Sequence, residues 1–517
     1  MPASRWTTVE EACAWLHAAG ATGLTADSRT VAAGDALLAW PGARHDARRH
    51  LQAALQAGAG AVLIEGRECE VFQDGIESLP LEQQARVASF DGLRAAAGPL
   101  AHAFYGQPSE HLDVVAVTGT NGKTSVSWGL AQALSASGRR CAVMGTLGIG
   151  EPGGALRSTG LTTPDAVSLH RAMASLRREG FAACSIEASS IGLVEGRLDG
   201  CRIRIACFTN LTQDHLDYHG TMEAYWLAKR RLFDWPGLAA AVVHVGDAHG
   251  AALAQDLADR RADLDLWTVA AGAGAADART GPGPARLRIL PDRLEADGQQ
   301  RLMLEEQGEH AHFLTPLVGA FNRENLAVIA GALRASGLPL AATAEALGAI
   351  QPVPGRLQRV GYGIGQPQAV VDYAHTPDAL TQALAALRPL ADARGGRLWC
   401  VVGCGGNRDS SKRPLMAAAA QAASDRLVLT SDNPRHENPA DILRQMVAGL
   451  AQPADVQVIE DRREAIAHAM KSASAADVVL LAGKGHETEQ EIAGVRHPFS
   501  DAAEAAMALA RRGGGRP

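Results

Sequence analysis

Lysine is so scarce in this chain that each one invites a chemical reading. There are five, at positions 123, 229, 412, 471 and 484, against 44 arginines. A chain that meets ordinary surface charge with arginine keeps lysine where a guanidinium cannot serve: as a compact point charge on a phosphate, or as an amine that loses its proton and reacts. Lys123 ends the loop Gly119-Thr120-Asn121-Gly122-Lys123 and is followed by Thr124 and Ser125. The glycines let backbone N–H groups face phosphate oxygens, the lysine reaches the terminal phosphates, and the threonine hydroxyl can hold Mg²⁺. The standard phosphate-loop spacing places a further glycine four residues before Asn121, where this chain has Val117; the mechanics survive that departure. Further on come Glu187 with Ser189-Ser190, then Asn210, then Asp214-His215-Leu216-Asp217-Tyr218-His219. Glu187 and His215 could share a Mg²⁺ with nucleotide phosphates, although histidine is an unusual Mg²⁺ ligand and Asp214–His219 alone reads equally as a polar turn.

These groups need strand ends to hold them. Val114–Val117, Cys141–Met144, Ala182–Ile186, Ile205–Phe208 and Ala241–Val245 read as strands, and 164–179 and 221–233 between them as helices. That alternation predicts a parallel sheet with helices on both faces, an α/β fold with ligands at the strand C-termini. Residues 1–110 form an N-terminal block with a short strand at Ala61–Ile64. Residues 111–350 form the central block. Pro352-Val353-Pro354-Gly355 marks the start of a third, 351–517, whose strands near 369–372, 398–402, 426–430, 456–459 and 477–481 predict a smaller doubly wound, Rossmann-like domain. Gly/Ala/Pro-rich 271–284 reads as a loop, Lys471 as a solvated helix residue, and 511–517 as a frayed tail.

Composition narrows the class. With 47% hydrophobic and 20% charged residues over 517 positions, the chain is an ordinary globular protein of two to four domains. A net charge of −7, with no basic run, points away from nucleic acid and anionic membranes. No signal peptide or membrane span is read, and the eight cysteines form no Cys-x-x-Cys pair, so reduced thiols and a cytoplasmic location are expected.

Taken together, the motifs resemble the Mur ligases, ATP-dependent amide-forming enzymes of peptidoglycan precursor synthesis. The matching segments are Thr118–Thr124, Glu187 with Ser189-Ser190, Thr209-Asn210-Leu211 with Asp214–Asp217, Gly319 with Phe321-Asn322 and Asn325, Pro354-Gly355-Arg356, Asp372–Pro377 and Gly483–Glu487, in family order across all three blocks. The resemblance implies a three-domain architecture: an N-terminal domain for a UDP-linked substrate, a central ATPase domain and a C-terminal amino-acid-binding domain. ATP would phosphorylate the D-glutamate carboxylate of UDP-N-acetylmuramoyl-L-alanyl-D-glutamate, and an amine would then displace phosphate. Lys123 and Mg²⁺ would neutralise the crowded anions.

Residue by residue, the resemblance implies catalytic roles for Lys123, Glu187, Asn210, His215 and Lys229. Lys229 would react with CO₂ to give a carbamate, an anionic oxygen ligand that would join Thr124, Glu187 and His215 in holding magnesium. Asn322, Asn325, Arg356 and Asp372 would lie near the adenine, ribose or phosphates, with Arg356 brought in by domain closure. Ala26, Ser28, Ala43, Arg44 and His45 would line the uridine-diphosphate site. Thr162, Thr163, Ser189, Glu195 and Arg197 would contact the muramoyl-dipeptide. Glu195 departs from the glutamine of many relatives and would repel an anionic substrate unless paired. The tetrad Asp432-Asn433-Pro434-Arg435 matches members that add meso-diaminopimelate; with Arg408, Gly483 and Glu487 it would form the acceptor site. Arg435 can grip a distal carboxylate through two parallel hydrogen bonds, and lysine would leave it unpaired. A monomer is expected. The rival readings are a Mur ligase adding lysine, D-glutamate or D-alanyl-D-alanine, folylpolyglutamate synthase, and a phosphate-loop switch or motor that makes no bond.

Overall fold

The computed structural model describes residues 4–42, 45–272, 285–295, 299–361 and 365–513. Ala43, Arg44, most of the 271–284 stretch and the last four residues lie outside them. The chain divides into two compact units. The first comprises 1–270, 274–287 and 327–346, and the second 271–273, 288–326 and 347–517.

Two sheets build the first unit. β1 (Ser4–Trp6), β2 (Gly23–Thr25), β3 (Asp35–Ala39), β4 (Ala61–Glu65) and β5 (Val87–Phe90) run parallel in the order β1-β5-β4-β3-β2. The larger sheet contains β6 (Asp113–Thr118), β7 (Cys141–Gly145), β8 (Gly148–Gly150), β9 (Ala183–Glu187), β10 (Ile205–Phe208), β11 (Ala240–His244) and β12 (Asp265–Ala271, all but its last residue in this unit), in the order β12-β11-β10-β6-β9-β7-β8. All pairs are parallel except β7–β8 at the edge. Near-continuous apolar runs such as Val114–Val117 and Ile205–Phe208 are buried, as parallel strands covered on both faces require. From β6 the chain passes to one side through β7 and β9, then to the other through β10. The C-terminal end of β6 is therefore a topological switch point, where open α/β sheets leave a crevice.

The second unit holds three further strands, β13 (Leu287–Leu294, all but its first residue), β14 (Gln300–Glu306) and β15 (Glu309–Thr315), with β14 and β15 antiparallel. Its main sheet contains β16 (Gln358–Val360), β17 (Gln368–Asp372), β18 (Leu398–Val402), β19 (Arg426–Leu429), β20 (Gln457–Val458) and β21 (Val478–Ala482), ordered β16-β17-β21-β18-β19-β20 and parallel apart from β16. A hairpin, β22 (Glu489–Ile492) and β23 (Val495–Pro498), follows. The expected α/β fold is observed. The alternation pattern missed β8, β12, β13–β15, β16, the hairpin and all of the N-terminal sheet except β4. Arg511 and Arg512, expected in a frayed tail, belong to helix Asp501–Gly513. All eight cysteines are free. Among the described residues, no helix is long and apolar enough to cross a membrane.

Candidate active site

The loop after β6 turns sharply because Gly119 and Gly122 adopt positive φ, 146° and 84°. A Cβ on Gly119 would overlap Thr209 Oγ1, so the close approach of this loop to the end of β10 demands glycine. The two segments are laced together. Thr120 N–H donates to Asn210 O (2.8 Å), Asn121 N–H to Asn210 Oδ1 (2.9 Å), and Thr209 Oγ1 to Asn121 O (2.6 Å). Asn210 therefore braces the loop.

Lys123 Nζ folds back onto Gly119 O (2.9 Å) and Thr120 O (2.8 Å), and Lys229 Nζ donates to the same Gly119 oxygen (2.7 Å). Lys229, from helix Met222–Arg230, is 1% exposed and stands 4.4 Å over the Tyr225 ring. Burial, reinforced by the nearby Lys123 charge and opposed by Asp214, lowers its amine to about 6. The neutral amine thus predominates at pH 7.

Glu187 ends β9, also 1% exposed. It accepts from Thr124 Oγ1 (3.0 Å), Thr146 N–H (2.9 Å) and Thr146 Oγ1 (3.2 Å). Burial raises its carboxyl above the ordinary range, against the opposing pull of Lys123 and these hydrogen bonds. His215 has positive φ (50°), is half-exposed, and lies 3.6 Å from Asp214. Among the described residues no three His, Cys, Asp or Glu side chains form a metal cage. The Thr124 hydroxyl and Glu187 carboxylate nevertheless supply adjacent hard oxygen donors, and the desolvated carboxylate favours a cation, so these two residues fit Mg²⁺.

Thr162 Oγ1 lies 3.1 Å from Thr146 Oγ1, and Thr163 Oγ1 contacts Glu187 O (2.7 Å) and Ser189 Oγ (2.9 Å). Glu195 pairs with Arg197 at 2.6 Å, and Arg197 also donates to Thr163 O (2.9 Å). The pairing neutralises the charge that glutamate brings to this position. Ala26 and Ser28 follow β2, where Asp27 caps the short turn Ser28–Thr30; His45 is exposed.

In the second unit, Asn322 and Asn325 are buried in the first turns of helix Ala320–Ala335, with Asn322 Nδ2 donating to Val318 O (2.8 Å). Asp372 ends β17 and accepts from Leu357 N–H (2.8 Å) and Ala374 N–H (2.9 Å); burial raises its carboxyl. Arg356 lies 4.9 Å over the Tyr373 ring. The Gly355 turn presses on Gly485 and His486: a Cβ on either glycine would strike its neighbours.

Asp432–Arg435 follow β19. A cavity of about 220 Å³ is lined by Asn433, Arg435, Glu487, Thr488, Glu489, Glu491 and Arg496. Arg435 has φ 53° and donates from Nη1 to Gly406 O (2.8 Å). Glu487 Oε2 accepts from Asn433 Nδ2 (2.8 Å) and Lys484 Nζ (2.9 Å); Lys484 also reaches Asn433 Oδ1 (3.1 Å) and Glu489 O (2.7 Å). Those partners hold Glu487 below the usual carboxylate range despite its burial. Asp432 is buried with its carboxyl raised by desolvation, close beneath Gly483; Arg408 is exposed. The sequence reading missed Thr146, the structural place of Lys484 and the hairpin residues Glu489, Glu491 and Arg496. Lysine scarcity was the signal for Lys484; the hairpin residues gave none.

Family models match two stretches, the Mur ligase middle domain over residues 117–333 and the "Mur ligase, glutamate ligase domain" over 355–485. The protein named UDP-N-acetylmuramoyl-L-alanyl-D-glutamate–2,6-diaminopimelate ligase from Acidovorax sp. (strain JS42) is 50% identical over 516 residues, 98% of each chain. The chain belongs to the Mur ligases. A relative of the same name from Ralstonia nicotianae is 47% identical, covering 96% of this Mur ligase and 95% of the relative. A solved structure of an enzyme with that name superposes with TM-score 0.69 at 36% identity, covering 95% of each chain.

Proposed function

We propose that this Mur ligase uses ATP to join meso-2,6-diaminopimelate to the D-glutamate of UDP-N-acetylmuramoyl-L-alanyl-D-glutamate, in cytoplasmic peptidoglycan precursor synthesis. The observation that carries the choice of amine is Arg435 in a small cavity with Asn433 and Glu487. The shared name of the full-length relatives supports the same reaction.

A carboxylate is a poor acyl donor. Its oxygen attacks the γ-phosphorus of ATP, ADP leaves, and an acyl phosphate forms; the acceptor's neutral amine attacks the carbonyl, and phosphate departs as the amide bond closes. The loop 119–125 cradles the phosphates through backbone N–H groups, and Lys123 offsets their charge. Thr124 and Glu187 would hold Mg²⁺, which supplies charge neutralisation when bound, with a ring nitrogen of His215 and a carbamate oxygen on Lys229 as further ligands. The neutral amine of Lys229 is the form able to take up CO₂. Asn322, Asn325, Arg356 and Asp372 are assigned to ATP, and Ala26, Ser28, Ala43, Arg44, His45, Thr162, Thr163, Ser189, Glu195 and Arg197 to the UDP-linked dipeptide. Arg408, Asp432, Asn433, Pro434, Arg435, Gly483 and Glu487 are assigned to diaminopimelate: Arg435 for the distal carboxylate, Glu487 for an ammonium. Three domains, 1–110, 111–350 and 351–517, and a monomeric state belong to the same reading.

The test is phosphate release by the purified chain with ATP, Mg²⁺ and the UDP-linked dipeptide, comparing meso-diaminopimelate with L-lysine, and product mass by spectrometry. A tripeptide product with diaminopimelate and a much slower reaction with lysine is expected. Equal use of lysine would remove the assignment of Arg435, and phosphate release without any amine would indicate a nucleotide switch.

A further inference from the structure

The acceptor cavity contains an acidic side chain with no assigned role. Glu491 lies on β22, and its backbone is fixed to the tetrad at two points: its N–H donates to Asn433 Oδ1 (3.0 Å), and its carbonyl accepts from Arg435 N–H (3.0 Å). Ala493 N–H donates to Arg435 O (2.6 Å), closing a parallel bridge between Arg435 and Ile492. These bonds set where the Glu491 side chain starts, and they do not depend on its charge. Its Oε2 stands 3.8 Å from Arg435 Nε. That separation is a Coulombic pair without a formed hydrogen bond. The guanidinium is already committed on another side, where Nη1 donates to Gly406 O and packs against Gly405. With one Nη1 N–H taken, the Nε edge keeps both of its N–H groups for a two-pronged carboxylate grip, and that is the edge that Glu491 faces.

We propose that Glu491 competes with the acceptor's distal carboxylate for Arg435 and thereby sets both the affinity for diaminopimelate and the margin over lysine; this rests on the acceptor site proposed above. A dicarboxylate acceptor that seats its distal carboxylate on this edge must displace Glu491. Lysine brings no carboxylate to this end, and Glu491 keeps Arg435 partnered while lysine is bound. The resident acid therefore weakens the right substrate and softens the penalty on the wrong one. The hairpin carries a parallel arrangement at the cavity rim, where Arg496 lies 3.5 Å from Glu489.

The experiment is Glu491→Gln, which keeps size and the backbone bonds and removes the charge. The KM for meso-diaminopimelate should fall roughly three- to fivefold, the gain from releasing a partly exposed ion pair, while the KM for L-lysine rises. A damaged fold cannot tighten one acceptor and loosen the other. Calorimetric titration of both amino acids onto the parent and the variant reads the same quantity without turnover. If the parent makes no product with either amine, the ligase reading fails, and the titration still judges Glu491 by whether the variant binds diaminopimelate more tightly. An unchanged or raised KM with unchanged or weaker binding would overturn the proposal; a rise would mean that Glu491 instead holds the acceptor's ammonium.

Discussion

The loop after β6 and the cavity after β19 both sit at the C-terminal ends of parallel strands, yet their two buried lysines, Lys229 and Lys484, differ in that only the second is paired with a carboxylate among the contacts described. At the loop, the amines of Lys123 and Lys229 donate to backbone carbonyls. At the cavity and behind it, cations meet carboxylates: Lys484 with Glu487, Arg413 with Glu437, and Arg462 with Asp501. A carbonyl satisfies an N–H without fixing its proton, so burial can pull Lys229 down to about 6. A carboxylate locks the charge in place. The first arrangement suits the change of charge state proposed for Lys229, the second the template proposed for a zwitterionic acceptor.

The largest test of that contrast lies behind the cavity. Arg462 and Asp501 are fully buried and joined at 2.6 and 2.7 Å, and Arg462 also donates to Ala482 O at the end of β21. Arg462→Leu leaves a buried carboxylate alone and should cost about 3–5 kcal/mol in denaturant unfolding. The double change with Asp501→Leu should recover much of that; a single variant as stable as the parent would break the comparison.

Next comes Lys229. Its folded amine titrates near 6 and an unfolded lysine near 10.5. Between those values the unfolded chain binds more protons, so the contribution of this group to stability rises with pH across that window and is flat below about 6. Lys229→Met should therefore melt higher than the parent near neutral pH, with the gap closing as pH climbs towards 10.5, while ligation is lost. A gap independent of pH would show that the amine is not held neutral. The smallest effect is expected from Arg435→Lys, which keeps charge but loses the two-pronged grip. The KM for diaminopimelate should rise by roughly tenfold, about 1.4 kcal/mol, and the preference over lysine should narrow in a paired assay.

The loop was legible in sequence because its chemistry is local. Glycine, lysine and threonine stand within six positions, after an apolar run long enough to announce a buried strand. The tetrad was legible as a motif for the same reason. The cavity wall was not. Residues of β22 and β23 are charged or exposed at most positions, so no apolar alternation marks them as strands. In β14 burial alternates at Leu302, Leu304 and Glu306, but the sequence does not, since Met303 is apolar and Glu306 is charged. β1 and β2 have three residues each, too few for any period to emerge. The burial of Lys229 depends on Tyr225 and a loop more than a hundred residues away, a relation that no local pattern encodes.

The meeting of Gly355 with Gly485 and His486 has a consequence for how this enzyme can change over generations. Arg356 follows one glycine and Glu487 lies two residues past the other, so the residues proposed for ATP and for the amine ride on backbones in direct abutment. A methyl group on either glycine would wedge both arms at once. On the proposed assignment, drift towards a new amine would be channelled into the outer hairpin, where side chains can be exchanged without moving these two glycines.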